Sequence, residues 1–330
     1  MDLIKKEAME IGHMHNKSTP SDSSKSSPVA KESVMIIRIV GMGGSDVFEL
    51  VNSRYLEVNV HWDSIFPTSV HLLWNLRTLV LNCWRDHVAP VQIWELHQLR
   101  HLVVNSSELT LPDPPSGHND IVIMENLQTL KGVSNLYLNE ECLSKLENLR
   151  CITGSMFVAR WKWFRFPHSL KKLYIQGSPN MELENILQKV GSLPLLEKFV
   201  IRYGYFSTRK WETIEGQFPS LKFLQLRCCD GLEDWIVSDN SHFPVLEKLC
   251  LFVIKQLKKI PSEMGEIATL KSIELRFCNE SAVKSAKKIV EEQEDLYGDQ
   301  IDLHVQATVY AHEEALGSLA SVNFEVIVED

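Results

Sequence analysis

The chain has 330 residues and a formal net charge of −9, with 44% hydrophobic, 8% aromatic and 23% charged residues. That composition fits a folded chain with one large core or two smaller ones and argues against wholesale disorder. The apolar run from Val34 to Ile37 ends at Arg38, and no run in the chain exceeds a handful of residues, far short of the roughly 18–20 apolar residues of a membrane-spanning helix. The opening residues lack the apolar stretch of a secretory leader, and the acidic balance argues against a nucleic-acid partner gripped by its phosphates. A cytoplasmic protein is expected, with peripheral attachment to membranes left open.

In chain order, residues 1–47 read as a flexible N-terminal remnant. Residues 16–33 are rich in Ser, Pro and Lys and fit a linker. A strand-like apolar run then leads into Gly41-Met42-Gly43-Gly44. A phosphate-cradling loop continues with Lys and then Ser or Thr, because the ammonium and the hydroxyl hold phosphate and magnesium. Here Ser45 and Asp46 follow, so Gly41, Gly43 and Gly44 form an incomplete nucleotide-binding start with a carboxylate where phosphate would lie. His13 and His15 offer only two metal ligands on a tail, and no metal site is expected.

From residue 48 to 278 one pattern repeats: Leu-x-x-Leu-x-Leu, with Ile, Val or Phe allowed. Copies start at Leu76, Leu99, Leu170, Leu196, Leu221, Leu246 and Leu270. Weaker ones start at Leu127 and Leu149, where Gly132 and Gly154 replace the last apolar residue, and a degenerate copy starts at Ser53. The intervals between successive starts are 23, 23, 28, 22, 21, 26, 25, 25 and 24 residues. All fall in the range of about 20–29 typical of leucine-rich repeats. In such a strand the two last apolar residues face one side and their neighbours the other. One repeat cannot bury its apolar face alone; stacked repeats can. The expected fold is α/β, a curved leucine-rich repeat solenoid of about ten turns. Its parallel sheet lies on the concave face and its convex limbs are irregular or briefly helical.

The punctuation agrees. Residues 105–120, with Pro112, Pro114 and Pro115, read as a loop that lengthens one interval. Phe166-Pro167, Phe218-Pro219 and Phe243-Pro244 precede a strand's first Leu by three or four residues, where proline stops the preceding limb. Apolar residues at every third position after Phe66 and after Ile260 suit 3₁₀ limbs. Cys229 and Cys278 occupy the offset where a residue turns inward to satisfy the bending backbone, with Ser107 and Ser178 at the same offset elsewhere. The seven cysteines include no CxxC pair and are expected to be reduced, mostly packed as small hydrophobes. Asn16, Asn105 and Asn279 match glycosylation acceptors, which carry no meaning without a secretory route. Residues 279–330 are expected to close the stack: a helix over 281–297 capped by Ser281 and stopped by Gly298, a strand over 301–305, and an acidic tail with a weakly alternating stretch from Val322.

The function is expected on the strand residues that point away from the core, two, four and six places after each first Leu. These are Lys172, Tyr174 and Gln176; Lys198, Val200 and Arg202; Phe223, Gln225 and Arg227. Lys248, Cys250 and Phe252, then Ser272, Glu274 and Arg276, complete the set. They give a cationic column beside aromatic rings on an otherwise acidic chain, and Arg and aromatic residues are common interface anchors. The alternative is a solvated sheet face with scattered charges. No catalytic triad or paired-carboxylate arrangement is visible, and no enzymatic activity is expected.

The segments Leu73 to Leu81, Ile93 to Leu102, Glu125 to Leu130, Phe166 to Leu173, Phe218 to Cys229 and Ser285 to Gln293 resemble the repeat region of plant intracellular immune receptors of the late-blight-resistance type. These receptors carry a coiled-coil N-terminus and a nucleotide-binding switch, and Val40 to Gly44 looks like the start of that switch joined almost directly to the repeats. The resemblance implies a truncated receptor: a recognition module of plant defence that binds a pathogen effector, a guarded host protein or a receptor's signalling domain, with no cofactor of its own. ADP or ATP would bind only if the switch survived. The remaining alternative is a substrate adaptor of a ubiquitin ligase, for which residues 1–47 are too short and polar to hold the usual helix set.

Overall fold

The computed structural model describes residues 53–60, 66, 68–115, 124–134, 146–155, 165–237, 242–298 and 301–329, together with the backbone of 36–40. Its strands are β1 (Ile36–Val40), β2 (Tyr55–Val60), β3 (Thr78–Cys83), β4 (His87–Val88), β5 (His101–Asn105), β6 (Leu109–Thr110), β7 (Thr129–Ser134), β8 (Cys151–Ser155) and β9 (Lys172–Gln176). Then come β10 (Lys198–Tyr205), β11 (Lys210–Glu212), β12 (Phe223–Asp230), β13 (Asp234–Ile236), β14 (Lys248–Phe252), β15 (Ser272–Arg276), β16 (His304–Tyr310) and β17 (Phe324–Glu329). The long strands form one parallel sheet in which every strand's neighbour comes from the adjacent repeat. This is the expected solenoid. β1 falls within the stretch expected as an N-terminal remnant and pairs with β2.

The register explains why a hexapeptide pattern can build so large a sheet. Leu56, Leu79, Leu102, Leu130, Ile152, Leu173, Phe199, Leu224, Leu249 and Ile273 stand directly opposite one another from strand to strand. The first leucine of each repeat from Leu76 to Leu246 is fully buried, and Leu270 is 5% exposed. Burying a leucine is worth about 1.5–3 kcal/mol, and each repeat adds three such groups to a shared spine. The backbone is tied at the same level. Arg77 N–H donates to Arg54 O, Arg100 to Arg77, Gln128 to Arg100, and so on to Lys271 on Glu247, at 2.7–2.9 Å.

The two glycine-bearing copies are not decay of the pattern. At Gly132 (φ +68°) the chain bulges, and Val133 takes the inward place that Gly132 vacates. A Cβ on Gly154 would collide with the Val133 carbonyl oxygen, so a larger residue has no room there.

The limbs follow the expected punctuation. Short 3₁₀ helices span Thr68–Leu72 and Ser262–Glu266, and a third spans Val91–Glu95. One limb holds the longer helix α1 (Glu184–Gly191). The 105–120 segment is not all loop, because β6 within it pairs with β4 and β7. Leu170, Leu221 and Leu246 N–H groups close turns onto Pro167, Phe218 and Phe243 carbonyls. The limbs of the adjacent repeats starting at Leu196 and Leu221 carry a small second sheet, β11 with β13, which sets Trp211 opposite Trp235. Their rings stack at 4.7 Å, and Phe218 stacks on Phe243 at 5.0 Å, giving an aromatic filling to this part of the core.

The end of the stack differs in detail from expectation. Helix α2 spans Glu280–Tyr297 and ends at Gly298 (φ +62°). Its cap is Asn279, whose side chain accepts from Ser281 N–H at 2.8 Å, rather than Ser281 itself. Asparagine in extended backbone reaches the second helical amide, and the serine lies already inside the first turn. Ala282, Val283, Ala286, Ile289 and Val290 pack inward. The strand expected over 301–305 is β16, over His304–Tyr310, and the stretch expected as an acidic tail supplies β17 beside it.

Candidate protein-interaction surface

Strand alternation places three parallel columns of side chains on the concave face. The first runs Lys172, Lys198, Phe223, Lys248, Ser272; the second Tyr174, Val200, Gln225, Cys250, Glu274; the third Gln176, Arg202, Arg227, Phe252, Arg276. Every partner-binding candidate expected from the sequence therefore lies on this one sheet face. Two residues of the outward series do not reach solvent. Val200 is 6% exposed and Cys250 1%; both are the short side chains of the middle column, where the longer Tyr174, Gln225 and Glu274 stay partly exposed.

The expected cationic column is divided into two electrostatic zones. Glu274 binds Lys248 at 2.9 Å and Arg276 at 2.8 Å, so one carboxylate serves both cations of β14 and β15. Partial burial alone raises the Glu274 pKa, but hydrogen bonds from Lys248 and Arg276 prevail and hold it below the usual carboxylate range. The hydrogen bond to Glu274 in turn raises that of Lys248. Arg276 also lies over the Phe252 ring at 5.3 Å. Cys250 sits beneath this cluster with its Sγ 3.7 Å from Glu274 Oε2, and burial pushes its thiol up to about 12.

On β9, β10 and β12 the cations differ. Lys198 lies 4.1 Å over the Phe223 ring and 5.5 Å from that of Tyr174, clamped between two strands by cation–π contacts. Lys172, Arg202 and Arg227 are exposed, and none of them forms an ion pair among the described residues.

The sequence reading missed the other half of the face. In the third column Asn59, Asn82 and Asn105 form a ladder: Asn105 Nδ2 donates to Asn82 Oδ1 and Asn82 Nδ2 to Asn59 Oδ1, both at 2.9 Å. Lys131 Nζ adds a bond to Asn105 Oδ1 at 3.1 Å. The signal was the same residue at the same offset in three successive repeats. It also missed a basic flank, Arg77, Arg100, Arg150 and Lys171, one place after the first leucines at 76, 99, 149 and 170 and interrupted only by Gln128.

Cys229 and Cys278 turn inward as expected. Cys278 Sγ lies 3.1 Å from Leu251 O and Cys229 Sγ 3.5 Å from Arg227 O. Burial pushes the Cys278 thiol up to about 11 and raises that of Cys229 strongly. Ser107 does not follow them. It is partly exposed, and its hydroxyl donates to Asp86 Oδ1 at 2.5 Å. Immediately before this inward offset the backbone is left-handed in five repeats: Ser106, Tyr203, Cys228, Val253 and Phe277 have φ between +51° and +71°. Of the sequon asparagines, Asn105 is in the ladder and Asn279 is the cap of α2. Gly41, Gly43 and Gly44, and His13 and His15, lie outside the described residues. Among the described residues no group of three His, Cys, Asp or Glu is placed to hold a metal, and no helix is long and apolar enough to cross a membrane.

A parallel sheet with one strand per repeat and a leucine spine defines a class, and sequence comparison agrees with it. The family described as a leucine-rich repeat region matches residues 41–330, and the chain belongs to that family. Within it, the chain is 31% identical to the late blight resistance protein R1-A of Solanum demissum, over 76% of this chain and 21% of that protein. It is 30% identical to the putative late blight resistance protein homolog R1B-13 of the same species, over 74% of this chain and 24% of that one. The chain thus spans about a quarter or less of the length of these curated relatives. Among solved structures, the crystal structure of PEPR1-AtPEP1 aligns over 88% of this chain and 44% of that one, with a TM-score of 0.44 and 13% identity. The leucine-rich repeat domain of the type III effector XopL aligns over 91% of this chain and 77% of that one, with a TM-score of 0.33 and 16% identity.

Proposed function

We propose that this chain is a non-enzymatic recognition module of plant disease resistance, acting in the cytoplasm and binding a protein on its concave sheet. That protein is a pathogen effector, a guarded host protein or a signalling domain of a receptor. The observation that carries the reading is the shared register of the three outward columns, which turns residues some twenty-five positions apart into one continuous face of rings, amides and cations. Faces of this kind, with Arg and aromatic anchors, suit protein partners. The similarity to late blight resistance proteins supports the biological setting.

The test is steric and independent of charge. Gln225 is partly exposed at the centre of the face, in the middle column. The full chain and its Gln225→Trp variant are compared as baits for proximity labelling in leaf tissue. Proteins labelled by the parent and lost from the variant, with both chains equally folded by circular dichroism, are the expected result. Identical labelled sets would refute a concave docking face.

A further inference from the structure

The division of the cations implies more than a face for proteins in general. Lys172 and Lys198 are in register on β9 and β10, and Arg202 and Arg227 are in register on β10 and β12. Neighbouring strands are about 4.8 Å apart, so each pair is a compact two-charge site. The two pairs are separated along the strand by four residues, about 13 Å at 3.3 Å per residue. Between them lie only neutral groups, Tyr174, Val200 and Gln225. A compact anion cannot reach both pairs. An extended chain can, if its acidic residues also fall about four positions apart.

We propose that this part of the concave face binds an extended acidic peptide segment of the partner, with carboxylates at both ends of a short neutral spacer. Lys172 and Lys198 take one end, Arg202 and Arg227 the other, and the Tyr174 and Phe223 rings hold Lys198 in place. Glu274 sets the border of the site by occupying Lys248 and Arg276, which would otherwise extend the positive field across β14 and β15. The inference rests on the concave docking face proposed above and adds the chemistry of what is docked.

The probe is a fluorescein-labelled hexapeptide, Glu-Glu-Ser-Ser-Glu-Glu, titrated against the full chain by fluorescence anisotropy at low ionic strength. Saturable binding that weakens with added salt is expected, because exposed charges are screened. The Arg202→Glu/Arg227→Glu variant is expected to lose at least tenfold in affinity. Glu274→Gln, which frees two cations beside the site, is expected to bind severalfold more tightly. Arg77→Glu/Arg100→Glu, on the basic flank outside the face, is expected to bind as the parent does.

Absence of binding by the parent would overturn the inference. So would equal loss in the flank variant, an unchanged Arg202→Glu/Arg227→Glu variant, or competition by inorganic tripolyphosphate as effective as by unlabelled peptide. If Gln225→Trp releases partners in tissue while the acidic probe fails, the docking face stands and the acidic ligand does not.

Discussion

Phe243 offers a test in which two ordinary rules point in opposite directions. Its ring is fully buried, stacked on Phe218 at 5.0 Å and edge-on to Trp211 and Trp235 at 6.2 and 6.1 Å. Removing a buried phenylalanine side chain costs about 3–5 kcal/mol. Its backbone, however, is left-handed, with φ +59°, and its carbonyl closes the turn to Leu246 N–H at 3.0 Å. A side chain with a Cβ pays about 1–2 kcal/mol for that conformation, and glycine does not. Glycine loses about 0.4–1 kcal/mol through the greater freedom of its unfolded chain. Phe243→Ala bears both the lost ring and the backbone strain, whereas Phe243→Gly bears the lost ring and the entropy. The glycine variant is therefore expected to be more stable than the alanine variant by roughly 1 kcal/mol, reversing the usual order. Urea unfolding followed by tryptophan fluorescence suits the measurement, since Trp211 and Trp235 border the site. The slopes must match before midpoints are compared, because repeat arrays can unfold in parts. A glycine variant less stable than the alanine variant would show that the turn at Phe243 relaxes when the ring is removed, and that the left-handed backbone is a consequence of packing.

Gly154→Ala is expected to destabilise by several kcal/mol or prevent folding, because its methyl meets the Val133 backbone oxygen. Thermal unfolding by circular dichroism checks it, and a melting temperature within a few degrees of the parent would refute the close approach. Glu184, at the start of α1, accepts from Thr208 N–H at 2.9 Å and from the Thr208 and Ser207 hydroxyls. Partial burial raises its pKa, but these hydrogen bonds prevail and lower it. A depressed carboxylate contributes stability that is present above its unfolded value and lost as pH falls through the folded value. Glu184→Gln should therefore flatten the acid limb of stability from about pH 5 downward, leaving neutral pH less stable; an unchanged acid limb counts against the role. Among the described cysteines, Cys228 is expected to react first with N-ethylmaleimide at about pH 7.5, with Cys83, Cys229, Cys250 and Cys278 protected until the chain unfolds. Peptide mass spectrometry reads this directly, and early labelling of Cys250 would mean that the concave side chains do not seal the middle column.

The solenoid was legible because its spine is written in one residue type at a period the fold enforces. Leucines from Leu76 to Leu270 are apolar at each offset for the same reason, namely that each must pack on the one before it. The glycines at 132 and 154 looked like losses because a string of letters does not show that a bulge moves Val133 into the vacant place. The candidate face was also legible in outline, since alternation alone assigns Lys172, Arg202 and Arg227 to one side. Its electrostatics were not. Glu274 is one acidic residue among basic ones in the sequence, and only the register of β14 and β15 puts it between Lys248 and Arg276. The Asn59, Asn82 and Asn105 ladder is present in the sequence as a repeated letter, but only the strand register brings the three amides within hydrogen-bond reach.

The five left-handed residues, Ser106 and then Tyr203, Cys228, Val253 and Phe277 in four successive repeats, have a consequence for variation. Serine, tyrosine, cysteine, valine and phenylalanine all occupy this one seat, so the neighbouring turns impose the bend and the side chain has little say in it. Each occupant costs the coil a similar small penalty, and none is chosen by the leucine interior. This seat is thus a set of positions where chemistry can be exchanged residue by residue while the scaffold behind it stays the same.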